Sequence, residues 1–92
     1  MKFKLNLNLD AFESAEDFIQ KYGTHKGKSL ANYLCLKGKG SIKLANAIHN
    51  YAWNKHAANI SRKMGSIASA LEYEKFCDRI YSEEINPVCD CW

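Results

Sequence analysis

The longest run of the chain without a glycine or a proline is residues 41–64, which lies between Gly40 and Gly65. Apolar residues recur in it at spacings of three and four, and Ser41 is suited to cap its start, so we predict one helix over residues 42–64. At about 100° per residue, the side expected to face the core holds Ile42, Ala45, His49, Ala52, Trp53, His56 and Ile60. The opposite, polar side holds Lys43, Asn50, Tyr51, Asn54, Lys55, Ser61 and Arg62.

A second amphipathic segment follows directly. Gly65 ends the first helix and Ser66 can cap another, which we predict over residues 67–82. The side of this second helix expected to face the core holds Ile67, Ala70, Tyr73, Phe76, Cys77, Ile80 and Tyr81. Pro87 closes the ordered part of the chain, so residues 88–92 are expected to form a tail or a final short strand.

The N-terminal segment has a different period. Residues 2–9 alternate strictly between polar and apolar side chains, which is typical of a half-buried strand in an antiparallel sheet or at a sheet edge. One strand cannot stand alone, and three partners are open: residues 33–37, residues 88–92, or a strand of another chain.

Two shorter segments lie between the strand and the long helix. Ser14 and Gly23 bound a predicted helix over residues 15–22, whereas residues 29–36 fit either a helical turn or a strand. A chain of 92 residues has room for one modest core. We therefore predict one α+β domain over residues 1–92, mostly helical, with an N-terminal strand in a small sheet and two longer C-terminal helices.

Acidic residues are missing from the middle of the chain. Residues 1–17 carry a net charge of −2, residues 18–71 carry +9 with no acid at all, and residues 72–92 carry −4, which leaves +3 overall. Surface ion pairs contribute only about 0–1 kcal/mol each, so fold stability does not demand this segregation. We interpret the middle as a surface for nucleic acid or for an acidic protein patch. The alternative is that it folds against the acidic ends and its charges cancel.

Loops rich in glycine and lysine carry the strongest local positive charge. Gly38, Lys39 and Gly40 precede the long helix, whose N-terminus carries a partial positive charge, and Lys37 and Lys43 flank the same point. A second loop, residues 24–28, adds further lysines and a histidine that can join a phosphate contact. The alternative for the first loop is a plain turn between helices.

The polar side of the long helix is the other candidate surface. Asparagine amides donate and accept hydrogen bonds and suit phosphate, ribose or base edges, and Tyr51 could stack on an unpaired base. A solvated helix face is the alternative. The predicted binding residues are Lys26, Lys28, Lys37, Lys39, Lys43, Asn50, Tyr51, Asn54, Lys55 and Arg62.

Motifs for catalysis, metal binding or cofactor binding are missing from the sequence. His49 and His56 are seven residues apart, whereas two histidines of one helix that share a zinc ion are four apart. Cys89 and Cys91 do not form a CxxC pair, so we expect them in an exposed tail, and Cys35 and Cys77 in the core. We predict no catalytic residue, no metal, no cofactor and no small-molecule substrate.

Targeting signals are also missing. No apolar run approaches the ~18 residues of a membrane span, and the lysines of the N-terminus are followed by no apolar signal segment. We therefore expect a cytoplasmic protein that does not enter a membrane and whose thiols are reduced.

A tiny domain that begins with a strand, carries a basic segment and lacks a catalytic motif resembles the small proteins with which phages disable host machinery. The whole chain is similar in size and character to anti-CRISPR proteins, in particular the type I-F group, which share no motif. Its distinctive stretch, ANAIHNYAWNKHAANISRKM at residues 45–64, matches no named motif. The resemblance implies an inhibitor in the host cytoplasm that docks on Cas proteins and guide RNA of a surveillance complex and blocks target-DNA binding.

From the residues alone, three functions are open. They are binding of nucleic acid or a ribonucleoprotein, inhibition or adaptation of an acidic host protein without nucleic-acid contact, and enzymatic activity of a small domain. The size of the chain and the missing nucleophile–base spacing argue against an enzyme. We predict a non-enzymatic binding protein whose partner is a protein or ribonucleoprotein complex, with nucleic acid contacted through the basic surface.

Overall fold

Three α-helices account for most of the computed structural model, which describes residues 3–4, 19–20 and 25–90. The described helices are α1 (Gly27–Tyr33), α2 (Ser41–Lys63) and α3 (Ile67–Ile80). Helix α3 continues into a π-helical turn, Tyr81–Ile85. The two long helices thus lie close to the segments predicted from the glycine breaks, residues 42–64 and 67–82.

The predicted α+β class is wrong, because the described residues form no sheet that could cover a core. Extended backbone is limited there to two strands of two residues each, β1 (Phe3–Lys4) and β2 (Cys89–Asp90). They pair in parallel, with Phe3 opposite Cys89, so each is an edge strand and the partner of the N-terminal strand is the segment 88–92, one of the three that the sequence left open. Strands this short cannot bury a face, so the core lies between the helices instead.

Several sequence predictions fall partly on residues outside the described ranges. Of the strand predicted over residues 2–9, residues 3–4 are described and extended; of the helix predicted over residues 15–22, residues 19–20 are described and helical. The segment with two open interpretations, residues 29–36, lies in helix α1 and the turn that follows it.

The core lies along a face of α2 that includes Ala45, His49 and Ala52, as predicted, but extends to residues that the sequence did not predict to be buried. Its fully buried side chains include Leu44 and Ile48, and they pack with Leu30 of α1 and Ile85 of the π-helical turn. Small buried residues surround them on α2: Ala45, Ala47, Ala52 and Ala58. Small side chains at a contact allow two helices to approach closely, and their side chains then fill the interface without voids.

The face predicted to be buried on α2 is consequently wrong over much of its length. Ile42, Trp53 and Ile60 are 47%, 42% and 42% exposed, and they lie on the side away from Leu44 and Ile48 at the ~100° spacing of a helix. Ala45, His49 and Ala52 of the predicted face are buried, but the prediction did not include Leu44 and Ile48, the largest buried side chains of the helix.

Helix α3 packs antiparallel to the second half of α2 after a short turn. Arg62 of α2 donates from Nε and Nη2 to both carboxylate oxygens of Glu74, at 2.7 to 2.8 Å. The Cys77 thiol is buried and donates to the backbone carbonyl of Tyr51 at 3.6 Å. Of the side predicted to face the core, these residues are exposed instead: Ile67, Tyr73 and Phe76.

The four cysteines differ in environment and bonding. Cys77 is buried, as predicted, but Cys35 is exposed in the turn after α1, where it adopts a φ of 58°. Cys89 is buried and disulfide-bonded, so both the exposed position and the reduced thiol predicted for it are wrong. Cys91 lies outside the described residues.

Two isoleucines of α2 test which face of the helix is buried. Ile48→Ala removes a side chain that is 0% exposed, and we expect it to lower the free energy of unfolding by about 2–5 kcal/mol. Ile60→Ala, the matched control at a site 42% exposed, is expected to cost less than about 1 kcal/mol. Urea unfolding followed by circular dichroism measures both. A larger loss at Ile60 than at Ile48 would contradict the described packing.

Because the Cys77 thiol is buried, the free energy of unfolding depends on pH in the alkaline range. Burial raises its pKa from 9.0 to about 11, and the Lys55 ammonium opposes that shift in part. Since the unfolded thiol loses its proton first, this contribution is complete below pH 9.0 and is lost as the pH rises towards about 11. We expect the free energy of unfolding to fall less steeply over this window in Cys77→Ala than in the parent chain. Cys35→Ala is the control, and equal slopes in all three proteins would contradict the expectation.

Candidate anion-binding groove

Two adjoining cavities lie on the outward side of α2 and bring together lysines and asparagines from separate parts of the sequence. The larger is about 590 Å³ and the smaller about 330 Å³, and Asn50 lines both. We call them together the α2 groove. The larger cavity is lined by Gly38, Lys39, Gly40, Ser41, Ile42, Lys43, Asn46, Ala47, Asn50 and Glu84. The smaller is lined by Lys26, His49, Asn50, Trp53 and Asn54.

The glycine loop before α2 forms one end of the groove. Gly38 and Gly40 have φ values of 96° and 87°, in the left-handed region that side chains other than glycine rarely adopt. Gly40 is the N-cap residue of α2; no side chain caps the helix, and no acidic residue lies in its first turn. The positive end of a 23-residue helix therefore lies beside Lys39 and Lys43 without a compensating acid in that turn.

The loop before α1 is attached to α2 by an asparagine. The backbone N–H of Gly27 donates to Asn46 Oδ1 at 3.0 Å, which places the neighbouring Lys26 at the smaller cavity. The ring of His25 stacks against Tyr33 with centroids 4.2 Å apart. These contacts bring Lys26 to the same side of α2 as Lys43, although 16 residues separate the two lysines in sequence.

Trp53 lies at the edge of the smaller cavity with much of its ring exposed to solvent. Its indole Nε1–H donates to His49 Nε2 at 2.9 Å, and its ring makes an edge-to-face contact with His56, with centroids 5.9 Å apart. Since His49 accepts at Nε2, that nitrogen carries no proton in this arrangement. The histidine is buried whereas the tryptophan is 42% exposed, so the indole is held in place by a neighbour from the preceding turn of the same helix.

Three asparagines follow one another along the groove at four-residue spacing, Asn46, Asn50 and Asn54. Residues four apart on a helix lie on one face. Asn54 Nδ2 donates to the backbone carbonyl of Asn50 at 2.7 Å, and Asn46 accepts from Gly27. The groove therefore presents amide groups along about 12 Å of α2, from the ~1.5 Å rise per residue.

The structure brings five of the ten predicted binding residues into the groove: Lys26, Lys39, Lys43, Asn50 and Asn54. Lys28 and Lys37 are exposed on the adjacent helix and loop but line neither cavity. The remaining three, Tyr51, Lys55 and Arg62, lie elsewhere on α2.

Each of those three residues is placed by the packing of α3. Tyr51 is half-buried and packs against the core, so its ring is not offered to a ligand as the sequence predicted. Lys55 is half-buried and close enough to Cys77 to lower the pKa of that thiol. Arg62 forms the ion pair with Glu74 described above. All three therefore serve the α2–α3 contact rather than the groove.

The alternative interpretation of the charge pattern was that the acidic ends of the chain cancel the positive charge of its middle. The described residues show such cancellation only in part. Within the described ranges, Arg62–Glu74 is the only ion pair, and it joins the basic middle of the chain to its acidic end. Among the described residues that line the groove, three are lysines and one is acidic, Glu84. The groove therefore keeps a net positive charge.

Trp53, Asn46 and Glu84 are among the groove residues that sequence analysis missed. Trp53 was assigned to the core side, and the signal that could have corrected this is the pair Leu44 and Ile48, which marks a second and more apolar face. Glu84 reaches the groove only through the fold of the C-terminal segment, so no local pattern identifies it.

Comparison with known proteins gives no match, whether to a protein-family model, to a curated protein or to a solved structure. None of the described helices is long and apolar enough to cross a membrane. Across residues 3–4, 19–20 and 25–90, no three histidine, cysteine or acidic side chains are grouped as metal ligands. The chemistry of the groove itself is therefore the basis for any functional conclusion.

The contact between Gly27 and Asn46 can be tested by amide exchange. Asn46→Ala removes the acceptor, and we expect exchange of the Gly27 amide to become about fivefold faster, the equivalent of one hydrogen bond of ~1 kcal/mol. Asn46→Asp keeps an acceptor oxygen and is the control, in which the exchange rate should not increase. Hydrogen exchange followed by NMR measures both, and equal acceleration in the two variants would show that the bond does not protect this amide.

Proposed function

We propose that this protein is a non-enzymatic binding protein that docks through the α2 groove on the phosphate backbone of a nucleic acid, within a ribonucleoprotein partner. The observation that carries the proposal is the convergence of Lys26, Lys39 and Lys43 in one groove with an uncapped helix N-terminus. Lysine ammonium groups and helix N-termini both favour phosphate.

The asparagines favour nucleic acid over an acidic protein patch as the bound anion. A carboxylate-rich protein surface is satisfied by ammonium groups alone, whereas Asn50 and Asn54 add amides that suit ribose, phosphate and base edges. The groove is also elongated along α2, which matches a chain of regularly spaced phosphates better than a compact acidic cluster.

A ribonucleoprotein is consistent with the small size of the groove. A surface with three lysines supplies few phosphate contacts, and the affinity for free nucleic acid from so few contacts is modest at physiological salt. Protein contacts of the same partner would then supply the remaining affinity. If the resemblance to anti-CRISPR proteins is carried over, the guide RNA of a surveillance complex would be the strand that meets the groove.

Charge reversal within and outside the groove separates site-specific binding from attraction by net charge. The groove variant combines Lys26→Glu, Lys39→Glu and Lys43→Glu. The matched control combines Lys63→Glu, Lys75→Glu and Arg79→Glu, which changes the net charge equally at exposed residues that do not line the groove. Fluorescence anisotropy with labelled RNA and DNA at several salt concentrations measures binding by both.

We expect the groove variant to bind at least about tenfold more weakly than the parent chain, with a salt dependence less steep by about 2, since each phosphate contact to a single strand contributes ~0.7 to that slope. The control should retain most of the binding. Equal weakening in the two variants would reduce the effect to net charge, and unchanged binding by the groove variant would refute the groove as the site.

A further inference from the structure

We propose that the α2 groove takes a single-stranded segment of nucleic acid, with one unpaired base stacked on Trp53. The inference rests on the proposed function and adds that the bound nucleic acid is single-stranded. It is carried by a different residue from the lysines, an exposed aromatic ring at the end of the groove.

The surroundings of Trp53 leave it suited to stacking. The exposed part of Trp53 lies at a cavity that Lys26 and Asn54 also line, so its ring is next to a cationic and an amide side chain. Trp53 is 42% exposed, and its one hydrogen-bond donor is already used by His49. What the residue can still offer to a ligand is ring surface, and a ring surface binds the face of a base.

The hydrogen bond to His49 also restricts the orientation of the indole. His49 lies one helical turn before Trp53 and is buried, so it forms a fixed anchor. The contact with His56 one turn later restrains the ring from the other direction along the helix. A ring held in this way loses little conformational freedom when a base stacks on it, which favours binding.

The neighbours of Trp53 supply what the rest of a nucleotide needs. Lys26 lines the same cavity and can meet a phosphate, and Asn54 lines it with an amide. Lys39 and Lys43 continue the positive charge into the adjoining cavity, so consecutive phosphates of one strand can follow the groove while a base turns towards the tryptophan.

A duplex would not use these groups together. Its base faces are already stacked on one another, so a side chain on a helix surface meets backbone and groove edges but not a free base face. Stacking on Trp53 therefore requires an unpaired base, and it should tolerate any base because every base has a π-face.

The fluorescence of Trp53 reports the contact directly. The chain has two tryptophans, so Trp92→Phe gives a protein in which Trp53 is the single source of indole emission. This protein is titrated with a short mixed-sequence RNA strand, with the same strand in duplex form, and with a DNA strand of the same sequence. We expect quenching by both single strands, and weaker binding with little quenching for the duplex.

Substitution of Trp53 measures how much the stacking contributes. Trp53→Ala is expected to weaken single-strand binding by about tenfold without changing the salt dependence, since no phosphate contact is lost. Trp53→Phe keeps an aromatic face and should recover most of the affinity. Ile60→Ala, at a residue of α2 that is equally exposed and does not line the groove, is the matched control and should bind like the parent chain. Circular dichroism confirms that each variant is folded.

The outcomes separate the stacking inference from the proposed function. If the groove lysines are needed but Trp53→Ala binds normally and the duplex competes equally, the stacking inference is refuted and the proposed function stands. If no RNA or DNA binds at all and an acidic protein surface competes for the groove, both are refuted. Loss of affinity in Trp53→Ala but not in Trp53→Phe, together with quenching by single strands, would support the inference.

Discussion

Small side chains on one face of α2 let α1 and α3 pack against this helix, and the composition of the groove follows from that packing. The buried side chains of this face are Leu44 and Ile48 together with the alanines at positions 45, 47, 52 and 58. Once this face is turned inward, the helical period turns Asn46, Asn50 and Trp53 outward. The polar groove is therefore the geometric complement of the core, and a change that rotated α2 in its packing would remove both together.

The two ends of α2 differ in how their partial charges are balanced. The C-terminal turn carries Arg62 and Lys63, which suit the negative end of the helix dipole. The N-terminal turn has no acid and no side-chain cap, and lysines lie beside it although they are unfavourable there. Positive charge added to a positive helix end lowers stability slightly. Glu84 is the one acidic residue that lines the same cavity, and the phosphate of the proposed function would compensate the lysines further. The lysines, the helix end and the cavity then have one physical reason in common.

The sequence predicted the extent of the long helices well, because glycine breaks and the absence of proline act locally. It predicted the buried face of α2 only in part: Ala45, His49 and Ala52 are buried as predicted, but Trp53 is exposed, and Leu44 and Ile48 were not assigned to the core side. It also failed on the sheet: alternation at residues 2–9 indicates extended backbone, but the length and direction of pairing depend on where Cys89 lies in the fold. In the same way, Lys39 and Lys43 could be recognised from their positions beside a helix start. Lys26 is brought to the same groove only by the hydrogen bond between Gly27 and Asn46, and Glu84 only by the fold of the C-terminal turn.

The nine basic residues of the acid-free segment, residues 18–71, do not share one role. Arg62 is ion-paired to the helix that follows, at the α2–α3 contact, while the Lys55 ammonium is close enough to the buried Cys77 thiol to lower its pKa. The lysines at the other end of α2 line a groove with a single acidic side chain among its described residues. A helix of 23 residues is about 34 Å long at ~1.5 Å per residue, well beyond the ~10 Å over which salt leaves charges coupled. Arg62, near the C-terminal end of α2, is therefore largely independent of Lys39 and Lys43 at its start. Lysines, amides and an aromatic ring coincide beside Trp53, and this is the combination on which the proposed binding of a nucleotide depends.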